Sequence, residues 1–66
     1  MIKINKPEGF THDIGATLKK KSGSNWHGKV VGFYSNELTP EGYALESLLE
    51  KGSVQIYPVA ALELIS

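Results

Sequence analysis

Ser53, Gln55 and Tyr57 stand two residues apart in the run Ser53-Val54-Gln55-Ile56-Tyr57-Pro58. In a strand successive side chains point to opposite faces, so this spacing gathers a hydroxyl, an amide and a phenol on one side. Such groups bind and orient more readily than they react: the Gln55 amide both donates and accepts hydrogen bonds, and Tyr57 carries a hydroxyl on a rigid ring. No Asp, Glu or His shares that face, so no side chain there is placed to act as a general acid. Val54 and Ile56 alternate with the polar set and form an apolar face that suits a core. Gly52 and Pro58 punctuate the run at its two ends. The same alternation also describes a half-buried strand whose polar face meets only water, and six residues do not decide between the two.

Other chemistries find little support in the chain. It has no cysteine, which excludes disulfides and thiolate metal sites. His12 and His27 are 15 residues apart with no carboxylate pattern between them, and no metal site is expected. Seven Lys+Arg, all of them lysine, balance seven carboxylates, so no global field advertises a nucleic-acid or membrane partner. Without arginine the bidentate fork favoured for base readout is missing. The longest apolar stretch, Val59 to Leu62, is far too short to cross a bilayer, and Met1 to Phe10 lack the apolar core of a signal peptide. A soluble, cytoplasmic protein is expected.

The elements that must position the polar face are short. At 66 residues the chain holds at most one domain, of a size that buries only about 60% of its unfolded surface. Residues 1–12 read as a flexible tail, with Ile2 and Ile4 as a possible stray edge strand, and residues 13–66 as the folded domain. From Thr11 the alternation of Ile14, Ala16 and Leu18 predicts a strand, which runs into a hairpin loop at Ser22-Gly23-Ser24-Asn25. Trp26 to Tyr34 is rich in β-formers and broken by Gly28 and Gly32, which permit sharp bends. Thr39-Pro40-Glu41-Gly42 suits a tight turn. Tyr43 to Lys51 satisfies two patterns: Leu45, Leu48 and Leu49 lie at helical spacing, yet the alternation and the short β neighbours favour a strand, which is the reading adopted. Val59-Ala60-Ala61 predicts one 3₁₀ turn, and Leu62, Leu64 and Ile65 a last strand. Five short strands with one helical turn before the last outline an all-β, five-stranded SH3-like barrel.

Three segments, Lys20-Lys21-Ser22-Gly23, Leu38-Thr39-Pro40-Glu41-Gly42-Tyr43-Ala44 and Gly52 through Glu63, resemble the type II dihydrofolate reductases, small plasmid-borne enzymes that confer trimethoprim resistance. The likeness runs from about Lys20 to Ile65. It implies a homotetramer of SH3-like barrels around one central pore, where NADPH and dihydrofolate meet for hydride transfer that yields tetrahydrofolate. It implies that Gln55 lines the pore centre, that the Ile56 backbone meets both the nicotinamide and the pterin, and that Tyr57 contacts both ligands. Lys20 corresponds to a lysine near the pore mouth, and Ser53 and Val54 to the strand neighbours of Gln55, Ile56 and Tyr57. Gln55 and Tyr57 are thus the catalytic candidates. Lys20, Ser53, Val54, Gln55, Ile56 and Tyr57 are the cofactor-binding candidates, and Lys20, Gln55, Ile56 and Tyr57 the substrate-binding ones. Trp26 corresponds to a tryptophan at a subunit interface.

The chain departs from that pattern in places. The first 19 residues match poorly, Phe33 stands in place of a tryptophan, His27 replaces a glutamine, and Glu50-Lys51 replaces a histidine-proline pair at a subunit contact. Residue chemistry is compatible with the implied reaction. Hydride transfer asks a protein mainly to hold two rings face to face, because the cofactor carries the hydride. A barrel of this length is filled by its own side chains, so a pocket for two such ligands must lie between subunits. In a dihedral tetramer one strand's face is presented four times around the axis and becomes a lining. Lys20 would meet the anionic ends of both ligands, and the substrate nitrogen would take its proton from solvent. Two other classes fit the fold outline: a non-enzymatic SH3-like module for a peptide or nucleic acid, and a purely structural tetramer.

Overall fold

The computed structural model describes residues 5–65, so the Ile2/Ile4 alternation lies outside the described residues. Five strands form one antiparallel sheet: β1 (Thr17–Lys20), β2 (His27–Tyr34), β3 (Gly42–Ser47), β4 (Val54–Pro58) and β5 (Leu62–Leu64), with a 3₁₀ turn at Val59–Ala61. Each strand matches a predicted one, and the 3₁₀ turn falls where expected. Residues 42–47 are strand despite the leucine spacing, because β3 gains partners on both sides, a tertiary gain that overrides local helix propensity.

The spatial order is β4-β3-β2-β1-β5. The expected closure into a barrel is corrected here: β4 and β5 share no ladder among the described residues, so the sheet stays open with those two strands as its edges. Pro58 brings no N–H with which to extend β4, and the 3₁₀ turn then carries the chain to the opposite edge, where β5 pairs for only three residues.

The first strand begins later than its alternation suggests. Gly15 adopts φ +92°, a left-handed conformation that interrupts an extended run, and the Ala16 amide turns back to the Asp13 carbonyl at 3.1 Å. Ile14 is left exposed on this corner.

Leu18, Val30, Tyr43, Leu45 and Leu62 form the core, all at most 3% exposed. Each large side chain buried in this way contributes about 1.5–3 kcal/mol. Phe10, Ala16, Trp26, Phe33, Tyr57 and Val59 pack around them. Phe10 lies in the stretch read from sequence as a tail, yet its ring sits edge-on to both Phe33 and Tyr43 at 5.6 Å. Directly after it the Thr11 and His12 amides both donate to the Tyr43 hydroxyl at 3.0 Å.

The register inverts one expectation outright. Tyr57 lies opposite Tyr43 and Gln55 opposite Leu45, and paired residues share a face, so Gln55 and Tyr57 point to the side of the core. Val54 and Ile56, expected to fill the core, face outward and remain 50% and 54% exposed. The reason is size: the Tyr57 ring offers the core more apolar surface than either aliphatic residue, and a two-residue period carries the whole strand with it.

Candidate functional site

Four side chains meet where the core face opens between β1 and β4. Lys20 ends β1 with its side chain on the face of Leu18, since both pair with β5 residues at even spacing. Its ammonium nitrogen stands 5.1 Å from the centre of the Tyr57 ring, a cation–π contact of about 0.5–1 kcal/mol at a half-exposed site. Trp26 immediately precedes β2 and brings its ring to 5.7 Å from the same ring, tilted by 56°. The Tyr57 hydroxyl donates to Gln55 Oε1 two residues back on β4. With its carbonyl thus engaged, the Gln55 amide keeps its two Nε2 protons as donors.

The backbone beneath this cluster explains its shape. Gly28 is buried in β2, and a Cβ there would lie 2.6 Å from the Glu46 carbonyl oxygen and 3.1 Å from Trp26 Cη2. Only glycine lets β3 approach so closely and lets the indole lie down on the sheet. The Lys20 amide donates to the Trp26 carbonyl at 3.2 Å, which closes the β1–β2 loop and keeps the two residues side by side.

Of the residues singled out from sequence, Lys20, Gln55 and Tyr57 therefore come together within one chain. Ser53 does not join them: it precedes β4 in the turn, where its carbonyl accepts the Ser47 amide at 2.9 Å and its amide donates to the Glu50 carbonyl at 3.1 Å. Val54 and Ile56 lie on the opposite face, across from Glu46 and Ala44. Trp26 enters the cluster through a contact inside the chain that sequence reasoning did not anticipate. Its signal was the glycine two residues on, since a buried strand glycine marks close approach by a neighbour.

A cation, an amide donor and a phenol on a partly exposed aromatic base can hold an anionic ligand that carries a planar ring with carbonyl acceptors. They fit a nicotinamide cofactor in chemistry, with Lys20 for phosphate and Gln55 for a carboxamide oxygen. They include no Asp, Glu or His. All four side chains are partly buried, and so partly accessible. A cavity of about 380 Å³ lies elsewhere, between Pro7, Phe10, Phe33 and Pro40.

A second cluster escaped sequence reasoning. The Tyr43 hydroxyl, besides accepting from Thr11 and His12, donates to Glu41 Oε2, which also accepts the Thr11 amide at 2.9 Å. The Tyr43 hydrogen bond, followed by that of the Thr11 amide, holds the Glu41 carboxyl below its ordinary value. Burial, then the Glu41 contact, pushes the Tyr43 phenol up. A core-facing tyrosine demands a partner for its hydroxyl, and that demand was the available clue. Among the described residues no group of three or more His, Asp or Glu is placed to hold a metal, and no helix is long and apolar enough to cross a membrane.

Residues 3–66 match the family described as R67 dihydrofolate reductase. Two curated proteins of Escherichia coli, each named dihydrofolate reductase type 2, are 57% identical to the chain over 60 residues, covering 91% of it and 77% of each relative. A likeness that spans every strand of the sheet and all four clustered side chains leaves one conclusion: the chain belongs to the R67 dihydrofolate reductase family.

Proposed function

We propose that this protein reduces dihydrofolate to tetrahydrofolate with NADPH, in a central pore shared by four copies of this five-stranded domain, and that trimethoprim does not inhibit it. The observation that carries this reading is the meeting of Lys20, Gln55 and Tyr57 on one face in a chain of this family. NADPH, when bound, supplies the hydride. The chain's own residues hold and orient. Lys20 attracts the anionic ends of both ligands, Gln55 offers Nε2 donors to carbonyl oxygens on whichever ligand occupies its side, and Tyr57 backs the Gln55 carbonyl. Four copies turn an open wall into an enclosure that excludes water. Val54 and Ile56, half exposed, and Leu49, 90% exposed, leave apolar surface that such an assembly would cover.

The site has no carboxyl or imidazole of its own, and the substrate nitrogen takes its proton from solvent. The turnover rate should therefore climb as pH falls until the assembly fails. The decisive experiment follows NADPH oxidation with dihydrofolate, with and without trimethoprim, beside sedimentation of the same sample. Turnover by a tetramer, indifferent to the drug, is expected. A folded tetramer that leaves NADPH untouched would sink the reading, and a bell-shaped pH profile from an intact tetramer would reveal an enzyme acid.

A further inference from the structure

We infer that Trp26 is a positioning residue for this site: through the Tyr57 ring it fixes the direction in which the Gln55 amide presents its donors. The inference rests on the reading of Gln55 and Tyr57 as the reductase site, although its physical half stands without it. The chain of contacts is short. The Trp26 ring lies 5.7 Å from the Tyr57 ring and is tilted 56° to it, and the Tyr57 hydroxyl donates to Gln55 Oε1. Gly28 makes the arrangement possible, since the indole occupies the space that a Cβ would need.

Each link removes a freedom that would otherwise blur the site. A tyrosine on an edge strand has its χ1 and χ2 limited only by what lies beside it. Here the indole and the Lys20 ammonium both bear on the ring. An amide free to rotate presents carbonyl and NH₂ about equally, and in a site with four equivalent glutamines that ambiguity multiplies. A carbonyl tied to a held phenol keeps the amide from inverting, so its NH₂ group stays on the side away from the phenol. Ligands that offer acceptors are then favoured over those that offer donors, and a loosened amide forfeits the discrimination. Trp26 touches neither Gln55 nor the reacting atoms in this scheme; it acts through Tyr57.

The composition of the chain makes the test direct. Gln55 is its single glutamine and Trp26 its single tryptophan, so glutamine-selective ¹⁵N labelling gives one side-chain NH₂ pair, and the indole gives one ring system. In the full-length protein, nuclear Overhauser contacts between the indole and the Tyr57 ring are expected, with a well-separated Gln55 NH₂ pair. Trp26→Leu should narrow that separation and lower kcat/KM on the order of tenfold, with KM rising for both ligands. Trp26→Phe, which restores a ring, should return both toward the parent values. A merely structural role predicts loss of folded protein without movement of the Gln55 signal in what remains folded. An unchanged Gln55 pair in folded Trp26→Leu overturns the inference. Where that variant does not fold, absent indole–Tyr57 contacts in the parent protein overturn it instead. A Gln55 pair that moves in a protein that never reduces dihydrofolate removes the proposed function and leaves the positioning role standing.

Discussion

Tyr43 and Tyr57 lie directly opposite each other on β3 and β4, on the same face of the sheet, and their hydroxyls have different fates. Tyr43 is wholly buried, and its oxygen is saturated by the Thr11 amide, the His12 amide and the Glu41 carboxylate. Tyr57 is half buried and has one partner, Gln55. The difference comes from position in the sheet. β3 is flanked on both sides, and the segment from Phe10 to His12 covers its end, whereas β4 is an edge with nothing beyond it in the chain. One residue type therefore serves as a clamp on the inner strand and as an unfinished site on the edge. A polar group whose hydrogen-bonding capacity is fully used stabilises a fold, and one with capacity left over can bind.

The largest break in this comparison should come from Tyr43→Phe. Removal of the hydroxyl leaves the His12 amide without its partner and leaves Glu41 with the Thr11 amide as its remaining donor, while the ring and its packing stay. A loss of about 2 kcal/mol in urea-denaturation stability is expected. A change under about 0.5 kcal/mol would mean that the clamp carries no weight and that Phe10 alone holds the segment.

The acid limb of stability sharpens the same contrast. The folded Glu41 carboxyl sits below its ordinary value of 4.5, so the ionised form favours folding. That contribution is complete above the ordinary value and is lost as pH falls through the lower folded one. Tyr43 works in the opposite sense: its raised phenol contributes stability below its ordinary value of 10.0, lost as pH climbs through the higher folded value. Denaturation midpoints measured from neutral to acid pH should fall less steeply in Glu41→Gln than in the parent protein. Parallel slopes would show that the carboxylate has another counterpart in the unfolded chain.

Strands were more legible in the sequence than faces. Alternation located β1, β3 and β4, richness in β-formers located β2, and Gly52 and Pro58 marked the limits of β4. It could not say which of the two β4 faces meets the core. That is set by the pairing of Tyr57 with Tyr43 and Gln55 with Leu45, a register between residues fourteen and ten positions apart in the chain. The clamp was invisible for a similar reason: Thr11 and His12 reach Tyr43 across 32 and 31 positions, and no local pattern announces a backbone amide that needs a distant phenol. Lys20, Gln55 and Tyr57 were legible as a set through the family resemblance. The open sheet was not, because closure depends on how far three residues of β5 and a proline-ended β4 can reach.

The smallest effect on stability is expected at the other tyrosine. Tyr57→Phe keeps the ring against Trp26 and under the Lys20 ammonium, so packing is conserved and the one hydrogen bond lost is replaced by water at a half-exposed position. Denaturation stability should change by less than about 0.5 kcal/mol. Function should not be spared in the same way, since Gln55 loses the partner that directs its amide, and KM for both ligands should rise while the folded fraction is unchanged. A Tyr57→Phe protein as destabilised as Tyr43→Phe would place both hydroxyls in the service of the fold. The edge strand would then have no spare capacity to offer a ligand, and the division of labour between two facing tyrosines would fail.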